Sequence, residues 1–440
     1  MMRLRVPRGS RRVLGVALVV SALSGPIFLA GVWAQPPAAP DESVSEEVRA
    51  DVAHIAELFY ARQFDAVVRE AGPLLARHGL TLTSVSIVLL EAESQLRLGD
   101  RDEAIRAYER ALPVISTLDS VQQRRFAFVF FRLAMLAREK RQLDQAVAKA
   151  ETGLRLEPQN MRAQIFLGQV FNERGERTRA LTHFKDLAAS SWPTNEERAV
   201  LAMKTDRLTT GGVGASVRPP DMRAARLHEG ISIGLIPLHD LPKDVVLADV
   251  CVAVEAAWRI RCEALAPIAI PDAHVFVADR AQYDGERLLD ALNRWFPVAT
   301  RPRPFLLAVA GRDLFAPKSR YVFSWQTHGG DAGTGVMSAA RFAAALDDFY
   351  EKDAVLMRRV SIQAISTSGS MLGFTRPTNP ECPTAFPIDF REFQQKRARL
   401  CTSDEEQRDT LLRARGGSGK MFGEARSREI DRVYRAYYLD

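Results

Sequence analysis

The chain has 440 residues and a formal net charge of +6, from 60 lysines and arginines against 54 acidic residues. Five of those arginines, Arg3, Arg5, Arg8, Arg11 and Arg12, stand at the start of the chain, and without them the charge falls to +1. The basic balance therefore belongs to the N-terminus and excludes a nucleic-acid footprint, while the remaining length is enough for two domains.

Residues 1–34 read as a signal peptide. A basic stretch without acidic residues precedes an apolar run over 13–34, broken by Gly25-Pro26, and Val32-Trp33-Ala34 fits the small-residue rule of a cleavage site. Export to the periplasm or the cell exterior is expected. The alternative is an uncleaved membrane anchor, because the run approaches bilayer-spanning length. A membrane enters only through that segment. Ser10-Arg11-Arg12-Val13-Leu14 hints at a twin-arginine signal, against which Gly15 and the strong apolarity weigh. Residues 35–45, rich in Pro, Ala, Asp and Ser, form a linker.

Helical periodicity then runs over 46–212. Gly99-Asp100, Ala104, Tyr108 and Ala111 have the spacing of a turn and a second repeat helix. Ala146 and Pro158 mark the next unit, and Leu167-Gly168, Phe171, Gly175, Ala180 and Phe184 another. Ala146 and Ala180 are 34 residues apart, whereas Ala104 and Ala146 are 42 apart, which places an insertion near 113–120. A degenerate unit centres on Phe64, Asp65 and Ala66. The 34-residue period resembles tetratricopeptide repeats over 47–190. Small residues at these positions let antiparallel helices approach, and each hairpin needs its neighbours to bury its apolar face. The resemblance implies an α-helical solenoid whose groove takes a protein or peptide partner. Phe126-Ala127-Phe128-Val129-Phe130-Phe131 reads as a buried helix of the stack, and His54, His78 and His183 have no metal-ligand spacing.

Gly, Ser and Pro concentrate at 209–220, so 213–227 reads as a second linker, followed by an α+β domain over 228–405 and a charged extension over 406–440. Strands are expected at 231–237, 259–265, 305–310 and 321–325, and helices at 241–258, 288–295 and 338–360. Tyr434, Tyr437 and Tyr438 belong to a terminal helix. Cys251, Cys262, Cys382 and Cys401 are an even set in an exported chain, where disulfides persist. Local pairing joins Cys251 to Cys262 and Cys382 to Cys401, although the sequence permits all three pairings. Gly416-Gly417-Ser418-Gly419-Lys420 lacks the strand and spacing of a phosphate loop and reads as a linker. No G-x-S-x-G elbow accompanies Ser366-Thr367-Ser368-Gly369-Ser370.

Several segments of this domain, in order, resemble archaemetzincins, zinc peptidases of the zincin fold. They are Ile236-Pro237-Leu238, Arg280-Ala281-Gln282-Tyr283, Asp313-Leu314-Phe315-Ala316-Pro317, Tyr321-Val322-Phe323 and Val336-Met337-Ser338-Ala339-Ala340-Arg341-Phe342. A helix over 359–374 follows where the family carries H-E-x-x-H-x-x-G-x-x-H. Two histidines four apart would grip zinc there, and the glutamate would activate its water. On that frame Ser366, Thr367 and Ser370 replace His, Glu and His, Gly373 is kept, and Arg376 replaces the third ligand. Gln282, Tyr283 and Asp313 are the other retained family-like positions. The family's second zinc needs four cysteines. Here Pro377 stands at the first, Cys382 at the second, Cys401 within a residue of the third and Asp404 at the fourth, with Thr384 for the methionine beneath the catalytic zinc. The resemblance thus implies a Cys382–Cys401 disulfide in place of that zinc.

These departures imply a pseudo-peptidase without catalytic residues, metal or other cofactor. The domain serves as a docking surface beside a partner-binding repeat array. An active zinc peptidase or other hydrolase with unrecognised ligands is the alternative. His328, in Gln326-Thr327-His328-Gly329-Gly330-Asp331, is the loop histidine such a site would use, and His228, His239 and His274 lack ligand spacing. A structural subunit of an envelope assembly is the second alternative.

Overall fold

The computed structural model describes residues 46–439, apart from 213, 223–224, 270–274, 318, 328–329, 345, 347–350 and 417–418. The segments expected to be a signal peptide and the first linker, together with His274 and His328, lie outside the described residues. The chain divides into two compact units, Met1–Glu176 and Arg177–Asp440. Among the described residues, no helix is long and apolar enough to cross a membrane.

The first unit is a series of helical hairpins. It contains α1 (Glu46–Tyr60), α2 (Phe64–His78), α3 (Val85–Leu98), α4 (Arg101–Ser116), α5 (Ser120–Arg124), α6 (Ala127–Glu139), α7 (Leu143–Leu156) and α8 (Met161–Glu173). The Gly99-Asp100 pair makes one turn of the repeat. Gly99 ends α3 at φ +91°, and the Asp100 carboxylate starts α4 by accepting the Glu103 amide at 3.1 Å. Ala104, Ala107, Tyr108 and Ala111 are buried along α4, as are Ala146, Ala150 and Gly153 along α7. The insertion continues α4 through Pro113 and adds the short α5, capped by Asp119. Helix α6 buries Phe128, Val129 and Phe131, as its sequence indicates. Buried Glu93 of α3 accepts from Tyr108 of α4 and from Arg132 of α6, whose Nε lies at 2.8 Å.

Gly153 explains one small residue of the pattern. A Cβ there would enter the van der Waals envelope of the buried Phe131 ring. Gly153→Ala should therefore cost about 1–3 kcal/mol through overpacking, read as a lower midpoint of chemical denaturation. No loss would mean that the ring has room to move aside.

The second unit begins with two helices, α9 (Arg177–Ala189) and α10 (Asn195–Thr210). An α/β domain follows, comprising β1 (Arg226–Pro237), α11 (Leu247–Trp258), β2 (Ile260–Ala264), β3 (Phe276–Val277), β4 (Gln282–Asp284), α12 (Gly285–Trp295), β5 (Phe305–Ala310), β6 (Leu314–Phe315), β7 (Ser324–Gln326) and β8 (Gly333–Ser338). Then come α13 (Ala340–Ala344), α14 (Lys352–Met371), α15 (Phe390–Gln394), α16 (Thr402–Ala414), β9 (Lys420–Met421) and α17 (Glu424–Tyr437). The main sheet is mixed, in the order β2-β1-β5-β8-β7. Its β1, β2, β5 and β8 pairings are parallel, β7 is an antiparallel edge, and β9 pairs with the start of β1. A small sheet, β3-β4-β6, stands apart.

Helices cover both faces of the main sheet, so its central strand β5 is apolar throughout. Phe305, Leu307 and Val309 join the core of α11 and α14, and Ala308 and Ala310 join that of α12. This alternation is the two-residue period of a strand. The terminal helix α17 buries Ile430, Val433 and Tyr434 in the first of these cores.

Three expected elements change. The helix expected over 338–360 is instead the end of strand β8 followed by two helices. Gly333 and Gly335 obscure that strand in the sequence, but a Cβ on Gly335 would meet the Met371 sulfur at 2.8 Å. Glycine lets α14 lie close to the sheet there. The strand expected over 321–325 is regular only from Ser324 to Gln326, with Val322 bridging Leu314. Helix α11 starts at Leu247, after Pro242 and the turn that it begins.

Candidate functional site

The C-terminal half of α14 carries the positions from which zinc would be held. Ser366, Thr367, Ser368 and Ser370 are all buried. Thr367 donates its hydroxyl to the Gln363 carbonyl at 2.8 Å, and Ser368 donates to the Ala364 carbonyl at 2.6 Å. The Gln363 amide donates to the Thr367 oxygen at 3.0 Å and to Ser324 of β7 at 3.1 Å. Trp258 of α11 donates its indole N–H to Ser368 at 2.8 Å. The exposed Arg376 reaches the Ser370 oxygen at 3.4 Å and lies 5.2 Å from the Phe386 ring centre. Thus Ser370 and Arg376 meet, as the zinc frame implies for those positions. The chemistry at the meeting is a guanidinium on a neutral hydroxyl. Zinc sites are built from imidazole, thiolate and carboxylate, and neutral hydroxyls offer none of these.

Gly373 has a conformational reason to be glycine. It sits at φ +91°, its N–H bonds the Ser370 carbonyl at 3.1 Å, and the Phe374 N–H bonds the Gly369 carbonyl at 3.0 Å. That pair is a Schellman motif, which needs a left-handed residue to end the helix. Phe374 then packs edge-on against Trp258 at 4.8 Å between ring centres.

Beneath α14, the positions assigned to the second zinc form a different device. Cys382 and Cys401 are disulfide-bonded, with Cα atoms 5.4 Å apart, and Cys251 and Cys262 are joined at 5.1 Å. Both local pairings hold. Thr384 donates its hydroxyl to Asp404 at 2.6 Å. Lys396, fully buried, donates to the carbonyls of Pro383, at 2.6 Å, and Ala385. The Lys396 ammonium is pushed down to about 7, chiefly by burial and then by the charge of Arg376, with Asp404 opposing the shift. Burial raises the Asp404 carboxyl, while Thr384 and Lys396 oppose the rise. Cys382, Cys401 and Asp404 lie close enough to share an ion, but both sulfurs are spent in the bridge. Among the described residues the other such cluster is Glu47, Asp51 and His78, where Arg77 already binds both carboxylates.

The retained positions Gln282 and Asp313 meet in the small sheet. The Gln282 amide donates to Asp313 at 2.7 Å, and Asp313 also accepts from Arg341 at 2.7 and 3.0 Å. Arg280 donates to the Gln282 oxygen at 3.0 Å, and Arg341 lies 3.6 Å from the Tyr321 ring centre. Tyr283, buried beside them, packs edge-on against Phe276. These residues brace β4 and β6 and satisfy one another.

Residues 131–195 match the tetratricopeptide repeat family model. No curated protein matches the chain. Among solved structures, the chain is similar to archaemetzincin from Methanopyrus kandleri, at 20% identity over 42% of this chain and 96% of that one, with a TM-score of 0.36. It is similar to archaemetzincin from Archaeoglobus fulgidus at 18% identity, over 40% and 99% of the two chains, with a TM-score of 0.33. Similarity to MamA is 15% identity over 35% of this chain and 82% of that one, with a TM-score of 0.29.

Sequence reading missed Lys396, which stands in a run with Arg391, Arg397 and Arg399. A lysine among charged residues looks solvated, and only the fold seals this one. It also missed Glu196, whose partner Arg359 is 163 residues away.

Proposed function

We propose that this chain is an exported, non-catalytic protein-interaction module. Its tetratricopeptide array binds a protein or peptide partner, and its zincin-like domain acts as a pseudo-peptidase docking surface. One observation carries the non-catalytic reading. The buried face of α14 offers Ser366, Thr367 and Ser370 where metal ligands and a general base would stand, with Arg376 against Ser370. A fixed positive charge opposes a divalent cation, and loss of zinc removes both the nucleophile and the Lewis acid of peptide hydrolysis. The repeat match over residues 131–195 supports the binding reading.

The test is elemental analysis of the purified chain after incubation with zinc and gel filtration, together with a protein-cleavage assay. Less than about one tenth of an equivalent of zinc, and no cleavage, is the expected result, since a built site would retain its metal. Stoichiometric zinc with cleavage blocked by a chelator would overturn the proposal.

A further inference from the structure

A cavity of about 630 Å³ opens in the second unit, between α10, residues 216–218 and the segment around the Cys382–Cys401 bridge. Arg198, Arg218, Arg397 and Arg399 line it, against a single carboxylate, Glu381. Arg397 neutralises Glu381 at 2.9 Å. Arg198 is held by the carbonyls of Ala188 and Ser190, and Arg399 donates to the Arg218 carbonyl. Among the described residues no acidic group pairs with Arg198, Arg218 or Arg399. Asp206 lies behind the wall, where it takes the hydroxyl of Tyr438 at 3.0 Å and the amide of Ser216 at 3.0 Å.

The walls are fixed. The disulfide ties the Glu381 side to the Arg399 side, and Asn195 of α10 bonds the Gln395 carbonyl. Ala199, Ala202, Val217 and Leu400 give the cavity an apolar part. Unpaired guanidiniums in a concave, rigid wall concentrate positive potential, and their forks match carboxylate and phosphate oxygens. The volume is that of a small-molecule site.

We propose that this cavity binds a small ligand bearing two or more oxyanion groups, carboxylate or phosphate, on a partly apolar frame. The site is independent of whether the zincin-like domain is catalytic. Calorimetric titration of the purified chain with citrate and with pyrophosphate would test it, and the tighter probe would distinguish carboxylate from phosphate. One equivalent should bind, more weakly in high salt. Arg218→Glu with Arg399→Glu should weaken binding about tenfold or more at unchanged melting temperature. Arg69→Glu, half of that charge change and placed on exposed α2, should leave it unchanged. Ala199→Leu, which narrows the cavity without touching a charge, should also weaken binding and serves if the double variant misfolds. Binding of neither probe, or equal loss in the Arg69 variant, would overturn the assignment. So would tighter binding of hexaglutamate than of either small probe, which would replace it with a peptide-docking surface.

Discussion

Glu196→Ala should destabilise the second unit by about 3–5 kcal/mol, the usual penalty for stranding one charge of a buried ion pair. Glu196 on α10 and Arg359 on α14 have side chains 3% and 1% exposed. Two N–H···O contacts of 2.7 Å join them as a fork. Gln394 donates a third bond to Glu196 at 2.8 Å, and Arg359 also donates to the Phe342 carbonyl and lies over the Phe390 ring. Replacement by alanine leaves a guanidinium sealed from water with one carbonyl for company. The double change Glu196→Leu with Arg359→Met removes both charges, and it should recover most of the loss, because the pair's own desolvation cost disappears with it. Urea denaturation of the three proteins measures this directly. A single variant within about 1 kcal/mol of the parent would show that water reaches Arg359. The pH dependence has a definite sign. Burial raises the Glu196 carboxyl, but the charge and hydrogen bonds of Arg359 outweigh it and leave the group below the ordinary glutamate range. The pair's stabilisation is therefore full above that range and is lost as pH falls below it, through the group's lowered value.

Helix α14 is tied by its polar side chains to several neighbouring elements. Arg359 ties it to α10, Arg358 donates to the carbonyls of Tyr438 and Lys396, Gln363 reaches β7, and Ser368 receives the indole of α11. Its Arg358, Arg359, Gln363 and Ser368 side chains are thus spent on neighbouring elements. Thr367 and Ser368 fold their hydroxyls back on their own helix carbonyls.

Legibility in the sequence followed the range of the interactions. The repeats were visible because small residues recur with a fixed period and because Gly99-Asp100 carries its turn chemistry locally. Both disulfides were visible because each joins neighbours in sequence, 11 and 19 residues apart. Strand β8 was hidden because Gly333 and Gly335 are there for close packing, whereas glycine in a sequence signals a loop. Gly373 read as a relic of a zinc motif, and the helix cap accounts for it without metal. The cationic cavity was out of reach because its lining comes from α10 and from loops nearly 200 residues further along the chain.

Lys396 supplies the other large expected effect, a rise in stability with pH between about pH 7 and pH 9. Its ammonium is pushed from the ordinary lysine value of 10.5 to about 7. In that window the unfolded chain still holds the proton and the folded chain has released it. The unfolded state thus binds more protons, and stability climbs on the order of 1 kcal/mol per pH unit. Below pH 7 both states are protonated and the slope from this group vanishes. The partly buried Tyr437 and the buried Tyr438, pushed up to about 12, contribute the opposite sign only at more alkaline pH, where unfolded tyrosines ionise first. Lys396→Met should abolish the rise, measured as urea midpoints at intervals from pH 6 to pH 9. A parent profile as flat as the variant's would mean that the carbonyls of Pro383 and Ala385 hold the ammonium charged throughout. Either way the amine is sealed and fastens residues 383–385 through the Pro383 and Ala385 carbonyls.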